Sequence, residues 1–578
     1  MRRSRTRSGL RVQAVAGTHS VLLGMDLADP AGCLGFAIRR TDHSEGEVAW
    51  LRGMKTFPGQ APEGPPGLTF STREHPVQSF QWGDYSAKPD HRYSYLVVAL
   101  GGSPAELKPL AEVSVTVATE LEDDGVHGVW FNRGVAGSQA FAQKFGDFVP
   151  GSVLPDDHAA MVWLSRGLGE AFLAFCAEAT GPGWALRGAF YEFTWDGGLS
   201  ALAAARERGV DVQLVVHGRD RDTVGGEDND GTAAAAREAA GRHGLDQGGV
   251  LHWRTAPNKS ALQHHKFLVL LRNGIARAVW TGSTNLTRGG VFGHSNVGHL
   301  VRDRATATAF AQEWQRLAGA VPTAGLRQVH EAEQPVRQQI PPDPGITSVF
   351  SPRATDSTLL DWYADLFDSS PDAASGSAHI TGAFGLNTVF RDKLRQTRPV
   401  PRNVLLEKLP PRAQAIPRSD PNVRISTGAH LENDSLGHWA AEKLTGFNSH
   451  VRYIHTKIIL VDPLGADPVL ATGSANYSGA STTTNEEHTL VIRAGSGAGT
   501  PRAASRRAVL RLADIYLTEY HRLFMHFVFR AYAQRRNLNT GARALTGLHL
   551  RPDDAWSAPY YVPGSWRERQ RRLFAGSG

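Results

Sequence analysis

The chain has 578 residues, of which 41% are hydrophobic and 20% are charged. This length predicts about two to four domains, and the composition is a normal balance that can bury large cores. The two cysteines, Cys33 and Cys176, exclude a disulfide framework and a thiolate metal site. The net charge of +6 suits a polyanionic partner but does not require one.

Arginine residues cluster near both ends of the chain. The first cluster comprises Arg2, Arg3, Arg5, Arg7 and Arg11, and the second comprises Arg567, Arg569, Arg571 and Arg572. We interpret both clusters as solvated ends, with contact to nucleic acid or anionic lipid as the alternative.

The sequence contains no apolar run of about 18 residues, so no transmembrane helix is predicted. The segment Val12–Met25, which follows the basic N-terminus, is interrupted by Gly17, Thr18 and His19 and makes a poor core for a signal peptide. We therefore expect a cytoplasmic protein.

Residues 1–120 have the pattern of a small β-sandwich that serves as an accessory domain. Its clearest predicted strands are Val21–Met25, Gly35–Ile38, Tyr93–Ala99 and the alternating run of Val113, Val115 and Val117. The Tyr93–Ala99 run, which follows Trp82, resembles a fibronectin type III strand. Such a domain usually positions or binds a partner and does no chemistry itself.

From residue 121 the pattern changes to alternating helices and strands, which predicts layered α/β domains. One unit covers 121–330 and a second covers 346–578, and the proline-rich segment Glu331–Gly345 links them. In the first unit we predict helices at 157–177, 198–208, 233–241 and 303–317 and strands at 186–193 and 210–216. In the second we predict a helix at 357–367, strands at 379–384 and 404–409, and a long helical tail at 503–535.

Two copies of one polar pattern lie in these units at a constant offset of 191 residues. The first copy is His264-His265-Lys266 followed by Gly282-Ser283-Thr284-Asn285, and the second is His455-Thr456-Lys457 followed by Gly473-Ser474-Ala475-Asn476. One such pattern is a weak signal, but two in register are very unlikely by chance. The offset therefore indicates a duplicated domain rather than a short solenoid repeat.

The residue types in each copy suit a phosphodiester. On a strand, His264 and Lys266 share a face, as do Ser283 and Asn285. Lysines neutralise the non-bridging oxygens of a phosphate, and serine and asparagine side chains donate hydrogen bonds to them. One histidine then attacks phosphorus, and the other protonates the leaving oxygen and activates water. The second copy repeats the set with His455, Lys457, Ser474 and Asn476. No metal or other cofactor is needed, because the lysines take the role of the cation.

The doubled pattern resembles the phospholipase D superfamily, whose motif reads H-x-K-x4-D followed by G-S-x-N. The resemblance implies two duplicated α/β lobes that pack pseudo-symmetrically, here preceded by the small all-β domain. It also implies one metal-independent, two-histidine site at the interface of the lobes, with a phosphohistidine intermediate. One chain then supplies a complete site, so a monomer suffices, and a dimer remains open.

The two copies differ in their supporting carboxylates. Asp462 stands where the family motif has its aspartate, whereas the first copy has Leu271 there. Asn485-Glu486-Glu487-His488 also aligns with Asn296-Val297-Gly298-His299 at an offset of 189, which places Glu487 opposite Gly298. A carboxylate orients an imidazole, so this alignment predicts that Glu487 supports His455. Family habit instead makes His264 the nucleophile, and the sequence leaves the two roles, and the full activity of the first lobe, open.

Three further residues lie at the ends of predicted strands beside the motifs. Glu192, Glu407 and Lys408 could line the cleft, although ordinary strand-end positions explain them more simply. His265 is predicted to point to the face of its strand opposite His264.

Three functions fit the sequence. The first is a nuclease or related DNA or RNA phosphodiesterase, favoured by the basic charge, the arginine-rich ends and the accessory β domain. The second is a phospholipase D that acts on phospholipid head groups, since the same residues cleave both kinds of diester. The third is an inactive scaffold that binds nucleic acid, which the intact motif residues disfavour.

Overall fold

The computed structural model describes residues 1–60, 69–145, 154–219, 232–255, 261–333, 339–354, 356–372, 376–383, 385–407, 420–428, 453–495, 499–538 and 549–578. The strands of its N-terminal region are β1 (Arg2–Arg7), β2 (Leu10–Ala16), β3 (Val21–Leu27), β4 (Gly35–Asp42), β5 (Glu47–Trp50), β6 (Arg52–Gly53), β7 (Phe70–Ser71), β8 (Gln81–Asp84), β9 (Arg92–Ser103) and β10 (Glu106–Ala118).

These strands form two four-stranded antiparallel sheets, in the orders β1-β2-β3-β8 and β10-β9-β4-β5. Along β10, Val113, Val115 and Val117 are buried while the residues between them are exposed, as expected of a sheet with one solvated face. The inner faces of the two sheets share one apolar core. The predicted all-β region is therefore confirmed, whereas its likeness to a fibronectin type III domain stays a prediction.

Two α/β lobes follow, each built on a seven-stranded sheet. The first lobe contains β11 (His127–Phe131), β12 (Trp184–Phe190), β13 (Asp211–His217), β14 (Leu251–Arg254), β15 (Lys266–Arg272), β16 (Ile275–Gly282) and β17 (Val297–Val301). The second contains β18 (Gly345–Ser351), β19 (Ala378–Gly382), β20 (Arg402–Leu406), β21 (Val423–Thr427), β22 (Ile458–Val461), β23 (Val469–Gly473) and β24 (Glu487–Arg493).

The two large sheets have the same topology. Their strand orders are β11-β17-β16-β15-β12-β13-β14 and β18-β24-β23-β22-β19-β20-β21, so each strand of the first lobe has a counterpart in the second. In both sheets three parallel strands adjoin four antiparallel ones. The central strands β15 and β22 contain apolar runs, Phe267–Leu270 and Ile458–Val461, that are buried on both faces. This shared topology confirms the duplicated, pseudo-symmetric lobes.

Helices cover the faces of these sheets. They are α1 (Ser138–Phe145), α2 (Ala159–Ser165), α3 (Leu168–Ala177), α4 (Asp196–Glu207), α5 (Thr232–Arg242), α6 (Arg304–Ala318), α7 (Thr323–Glu333), α8 (Thr358–Phe367), α9 (Thr388–Arg395), α10 (Gly479–Thr483), α11 (Arg506–Leu538) and α12 (Trp566–Ala575). The long helix α11 packs against strands of both seven-stranded sheets and of the β1-β2-β3-β8 sheet of the sandwich. Its predicted apolar stripe of Val509, Leu512, Ile515 and Tyr516 is buried, and it joins the lobes to the sandwich.

The segment 157–177, predicted as one helix, is two helices with a sharp bend. Arg166 and Gly167 at the bend both have left-handed φ values, of +51° and +86°. The turn lets the Arg166 guanidinium reach the buried Glu519 carboxylate, with nitrogen–oxygen distances of 2.9 and 2.6 Å. No single helix in the described part of the chain is long and apolar enough to span a membrane. The two helices of this bent pair reach that length and apolar composition only when they are taken together.

The C-terminal residues pack on the β-sandwich, although the sequence places 346–578 in the second lobe. The indole N–H of Trp556 donates to the carbonyl of Cys33 (2.8 Å), and Arg11 donates to the carbonyl of Ala575 (2.8 Å). Helix α12 lies against β3. The arginine clusters are therefore only partly solvated: Arg3, Arg5 and Arg7 are exposed, whereas Arg571 forms an ion pair with Asp26.

Candidate active site

The segments before β15 and β22 are positioned by reciprocal contacts between the lobes. The backbone N–H of His264 donates to the carbonyl of Glu486 (2.9 Å), and that of His455 donates to the carbonyl of Ser295 (3.1 Å). Parallel bridges form at both places, at the residues immediately before the two histidines. Each motif segment is thus held by the opposite lobe, and the two contacts are related by the pseudo-symmetry of the duplication.

His264 of the first lobe faces a carboxylate of the second. Its Nδ1 atom lies 3.1 Å from Oε2 of Glu487, and both side chains are buried. The ring of Tyr191, one residue after β12, packs against the imidazole with a centroid distance of 4.9 Å. The Nδ1 and Oε2 atoms are close but do not meet in hydrogen-bond geometry. The nearby carboxylate favours by its charge a proton on Nδ1 of His264, which leaves Nε2 as the atom with a free lone pair.

His455 of the second lobe faces an amide of the first. Its Nδ1 atom lies 2.9 Å from Oδ1 of Asn296. The orientation of this amide is fixed, because its Nδ2 donates to the carbonyl of Gly290 (2.8 Å) and Ser283 donates to its Oδ1 (2.8 Å). His455 must therefore donate from Nδ1. Its Nε2 atom is buried without a hydrogen-bond partner among the described residues.

These contacts correct the sequence alignment around Glu487. Gly298 pairs with Gly282, and Thr489 pairs with Gly473, so Gly298 and Thr489 are equivalent at the same offset of 191 residues as the motifs. The predicted offset of 189 is wrong, and the counterpart of Glu487 is Asn296 rather than Gly298. The prediction that Glu487 supports His455 is also wrong, since Glu487 contacts His264.

The lysines Lys266 and Lys457 follow the histidines on the same faces. The Nζ atoms of Lys266 and Lys457 donate to the carbonyls of His264 (2.9 Å) and His455 (2.5 Å), respectively. The Lys266 ammonium also lies 5.5 Å from the centroid of the Tyr191 ring. Both ammonium groups therefore gather with the imidazoles in one buried cluster.

Burial sets the electrostatics of this cluster. It lowers the pKa of both His264 and His455 well below the ordinary value, and the two lysines lower them further. Burial also lowers the pKa of Lys266 to about 7 and that of Lys457 well below its usual range, although Glu487 attracts both cations. In the same way burial raises the pKa of Glu487 to about 7, against the opposing effect of Lys266. A phosphate anion in the cluster would restore the charge of the lysines.

The glycines before Ser283 and Ser474 allow the backbone to pass close to the neighbouring strand. A Cβ atom on Gly282 would lie 2.2 Å from the carbonyl oxygen of Val297, and Gly282 has a φ of +129°. The serine hydroxyls accept from backbone N–H groups, of Val297 for Ser283 (3.1 Å) and of His488 for Ser474 (3.0 Å). Both hydroxyls are thereby held in place beside the histidines.

The two asparagines differ in their partners. Nδ2 of Asn285 donates to Oε2 of Glu192, which places that candidate carboxylate in the site. The same carboxylate attracts both Lys266 and Lys457. Asn476 has a buried Oδ1 atom without a hydrogen-bond partner among the described residues. The sequence prediction gave both asparagines one phosphate-binding role, which remains a prediction.

Asp462 lies away from the histidines. It follows the last residue of β22, whereas His455 precedes the strand. Its Oδ1 accepts from the hydroxyl of Ser370 (2.5 Å) and from the backbone N–H of Ser377 (3.0 Å). Asp462 therefore stabilises a turn at the far end of the strand and does not contact the imidazole of His455, contrary to the prediction.

The remaining candidates divide between the site and its surroundings. Glu407 accepts from the backbone N–H groups of Tyr453 (3.2 Å) and Ile454 (2.8 Å), and so fixes the segment that leads to His455. His265 is fully buried and contacts His488, in agreement with the opposite face predicted for it. Lys408 lies outside the described residues.

Sequence reasoning missed three residues of the site. Asn296 was aligned to the wrong position, and no sequence pattern singled out Tyr191 or His294. The ring of His294 lies 6.0 Å from that of His455. The constant offset of 191 residues, applied past the G-S-x-N motifs, would have identified Asn296 as the counterpart of Glu487.

A family model supports this assignment for the first lobe. Residues 185–318 match the family described as cardiolipin synthase, PLD-like domain. The matched residues contain His264, Lys266, Ser283 and Asn285. This part of the first lobe is thus similar to a phospholipase D-like domain, in agreement with the resemblance of the motifs. A search of curated proteins returned no match.

Several solved structures are similar to the chain. Phosphatidylserine synthase from Haemophilus influenzae is 12% identical, with a TM-score of 0.39 over 63% of this chain and 85% of that one. Nuc, a phospholipase D family member from Salmonella typhimurium, is 25% identical, with a TM-score of 0.20 over 26% of this chain and 86% of that one. Polyphosphate kinase from Porphyromonas gingivalis is 12% identical, with a TM-score of 0.33, and the match spans 62% of this chain and about half, 54%, of that one.

Proposed function

We propose that the protein is a metal-independent phosphodiesterase of the phospholipase D superfamily that hydrolyses the backbone of DNA or RNA. The observation that carries this proposal is the pair of buried His-x-Lys motifs, each held by a residue of the opposite lobe. Two imidazoles, two ammonium groups and two hydroxyls then surround one anionic group. The basic net charge and the exposed arginines of β1 support a polyanionic substrate.

The unequal partners of the two histidines support a division of roles. Attack on phosphorus by Nε2 of His264 forms a cationic phosphoimidazole, which the negative charge of Glu487, 3.1 Å from Nδ1, stabilises. His455 must carry a second proton, on Nε2, in the substrate complex, where the phosphate anion favours the imidazolium. The bond to the leaving oxygen breaks as this Nε2 proton is transferred to that oxygen. His455 then takes a proton from water, whose oxygen attacks phosphorus and releases His264. Asn296 is a neutral partner, so it holds the ring of His455 without retaining the proton on it.

Phospholipid is the second candidate substrate. The matched family model is described as a cardiolipin synthase domain, and the same set of residues handles either diester. The charge of the chain favours nucleic acid over this alternative.

The test is hydrolysis in the presence of EDTA of single-stranded DNA, duplex DNA, RNA and vesicles of phosphatidylcholine or phosphatidylglycerol. The expected result is EDTA-resistant cleavage of a nucleic acid that is lost in both His264→Ala and His455→Ala. Release of a lipid head group without polymer cleavage would assign the phospholipid instead. Binding of nucleic acid without turnover of any substrate would contradict an enzyme and favour a scaffold.

A further inference from the structure

A second group of buried histidines lies directly behind the proposed catalytic pair. His265 follows His264 in the first lobe, and His488 follows Glu487 in the second. Their Nδ1 atoms are 3.0 Å apart, their rings are nearly parallel at 9°, and both side chains are at most 1% exposed. The contact across the interface is therefore made twice: once by His264 and Glu487, and once by the residue that follows each of them.

His488 lies among elements of both lobes. Its Nε2 is 2.5 Å from the hydroxyl of Thr281, the residue before Gly282 in the first lobe. Its Nδ1 is also 3.4 Å from Oγ of Ser474 in its own lobe, and its backbone N–H donates to the same oxygen (3.0 Å). The His488 imidazole thus contacts Thr281, beside the first G-S-x-N motif, Ser474 of the second motif, and His265, which follows His264.

The charges around the pair determine which atom donates. Because the two Nδ1 atoms are 3.0 Å apart, one ring must donate and the other accept, and burial favours neutral rings by lowering the pKa of His265 and of His488. Nε2 of His265 lies 3.7 Å from Oε1 of Glu313 on α6. Burial opposes ionisation of Glu313, but His330 and His265 together lower its pKa, so it is a carboxylate.

A carboxylate favours the tautomer of His265 that carries its proton on Nε2. Nδ1 of His265 is then the acceptor, His488 donates from Nδ1, and Thr281 donates to Nε2 of His488. The other charged groups that face this pair are His330 of α7, Arg316 of α6, Glu487 and Lys266. His330 lies 2.9 Å and Arg316 lies 3.3 Å from Oε2 of Glu313, so an imidazole and a guanidinium hold the carboxylate on its other side.

We propose that His265 and His488 form an interlobe clamp that positions His264 against Glu487, and Ser474 beside them, for the reaction. The proposal rests on the proposed phosphodiesterase function. The clamp residues are positioning residues, since they lie on the opposite faces of their strands from the reacting groups. Because His264 and His265 are adjacent, as are Glu487 and His488, a hydrogen bond behind the strands fixes the separation of the groups in front. The counterpart of His488 in the first lobe is Val297, so the clamp exists on one side of the pseudo-symmetric site only.

Three substitutions of His488 separate positioning from packing. His488→Asn keeps an N–H donor near the place of Nδ1, His488→Gln places its amide near Nε2 and Thr281, and His488→Leu removes both hydrogen bonds. The matched control is His299→Leu, because His299 belongs to another buried imidazole pair, 3.0 Å from His127, and its other partner is Tyr516. All variants are assayed as the full chain, each at the same number of degrees below its own Tm.

With bis(p-nitrophenyl) phosphate, we expect His488→Leu to lower kcat about 10–100-fold with KM changed less than about threefold, as is typical of residues that orient a catalytic side chain. The kcat of His488→Asn should be at least about fivefold higher than that of His488→Leu. The kcat of His488→Gln should remain as low as that of His488→Leu. The control His299→Leu should keep a kcat within about twofold of wild type. Equal kcat values for His488→Leu and His299→Leu, or no recovery in His488→Asn, would overturn the clamp.

Binding of tungstate, measured by calorimetry, keeps this test separate from that of the proposed function. Failure of the wild type to hydrolyse any phosphodiester counts against the function alone. The clamp is then judged by the anion: His488→Leu should weaken tungstate binding at least about fivefold relative to His299→Leu, and equal affinities, or no binding by the wild type, would overturn it.

Discussion

Asn296 and Glu487 occupy the same position in the two sheets, and each contacts the proposed catalytic histidine of the opposite lobe. The exchange of an amide for a carboxylate is the main chemical difference between the two halves of the site. The roles of the two histidines follow from this difference, and it can be tested one side at a time.

Glu487→Gln should slow formation of the phosphoenzyme. The amide keeps the size of the side chain but no longer stabilises the positive charge that develops on His264. We expect the rate constant of phosphoenzyme formation to fall about 10–100-fold, measured as the rate of the p-nitrophenol burst with bis(p-nitrophenyl) phosphate. Asn296→Asp is the matched change on the other side and should leave the burst rate within about threefold. A larger decrease of the burst rate in Asn296→Asp than in Glu487→Gln would reverse the assigned roles.

The same substitution should stabilise the fold at alkaline pH. Burial raises the pKa of Glu487 to about 7 from the ordinary 4.5, so its contribution to stability is fully present below pH 4.5 and is lost as pH rises through 7. Replacing a carboxylate that costs stability when ionised should raise the free energy of unfolding at pH 8 by about 1–3 kcal/mol. The measurement is Tm at pH 4 and pH 8, and the gain should appear at pH 8 but not at pH 4, where Glu487 is largely protonated in the folded and the unfolded state.

His455→Ala should trap the intermediate on His264. A substrate with p-nitrophenol as the leaving group needs little acid assistance, so the first step proceeds, but water is not activated for the second. Mass spectrometry of the acid-labile, base-stable product should locate the phosphoryl group on the peptide that contains His264. His264→Ala is the control and should give no labelled peptide. Label on His455 in that control would assign the nucleophile to the second lobe.

The affinity for substrate should fall as pH rises above neutrality. Burial lowers the pKa of Lys266 to about 7, so the ammonium that binds the phosphate is lost above that pH in the free protein. We expect kcat/KM to decrease up to about tenfold per pH unit on the alkaline side. Lys266→Arg should remove that limb, because a guanidinium stays protonated. Lys108→Arg, at an exposed position, should leave the profile unchanged.

Asp462→Ala should affect stability rather than catalysis. The carboxylate accepts from Ser370 and Ser377 at the end of β22, and its residue has a left-handed φ of +47°. Loss of these bonds should cost about 1–3 kcal/mol of unfolding free energy, with kcat unchanged. Asp462→Asn tolerates the same backbone conformation and should lose less. If kcat fell in both variants while their free energy of unfolding stayed equal to that of the wild type, Asp462 would belong to the site.

Much of the site was predictable because its signal lies in local spacing. The repeated offset identified His264, Lys266, His455 and Lys457, and the alternation along a strand placed His265 on the other face from His264. The apolar runs after each motif likewise predicted buried central strands.

The partners of these residues were not predictable in the same way. An offset shows which residues are equivalent, but it does not show which residues touch, and the contact of Glu487 crosses between lobes. Asn296 gave no signal of its own, since an amide is far less diagnostic than a carboxylate beside a histidine. Helix α12 carried no pattern that distinguishes packing on the second lobe from packing on the sandwich, which its contacts with β3 decide.

The reciprocal contacts at Glu486 and Ser295 have a consequence for how such a site changes over time. Two separate identical subunits would carry every substitution twice, so both histidines would always have the same neighbour. In one continuous chain each position mutates alone, and a carboxylate on one side can coexist with an amide on the other. Covalent linkage therefore permits a division of labour that a symmetric pair of subunits cannot acquire.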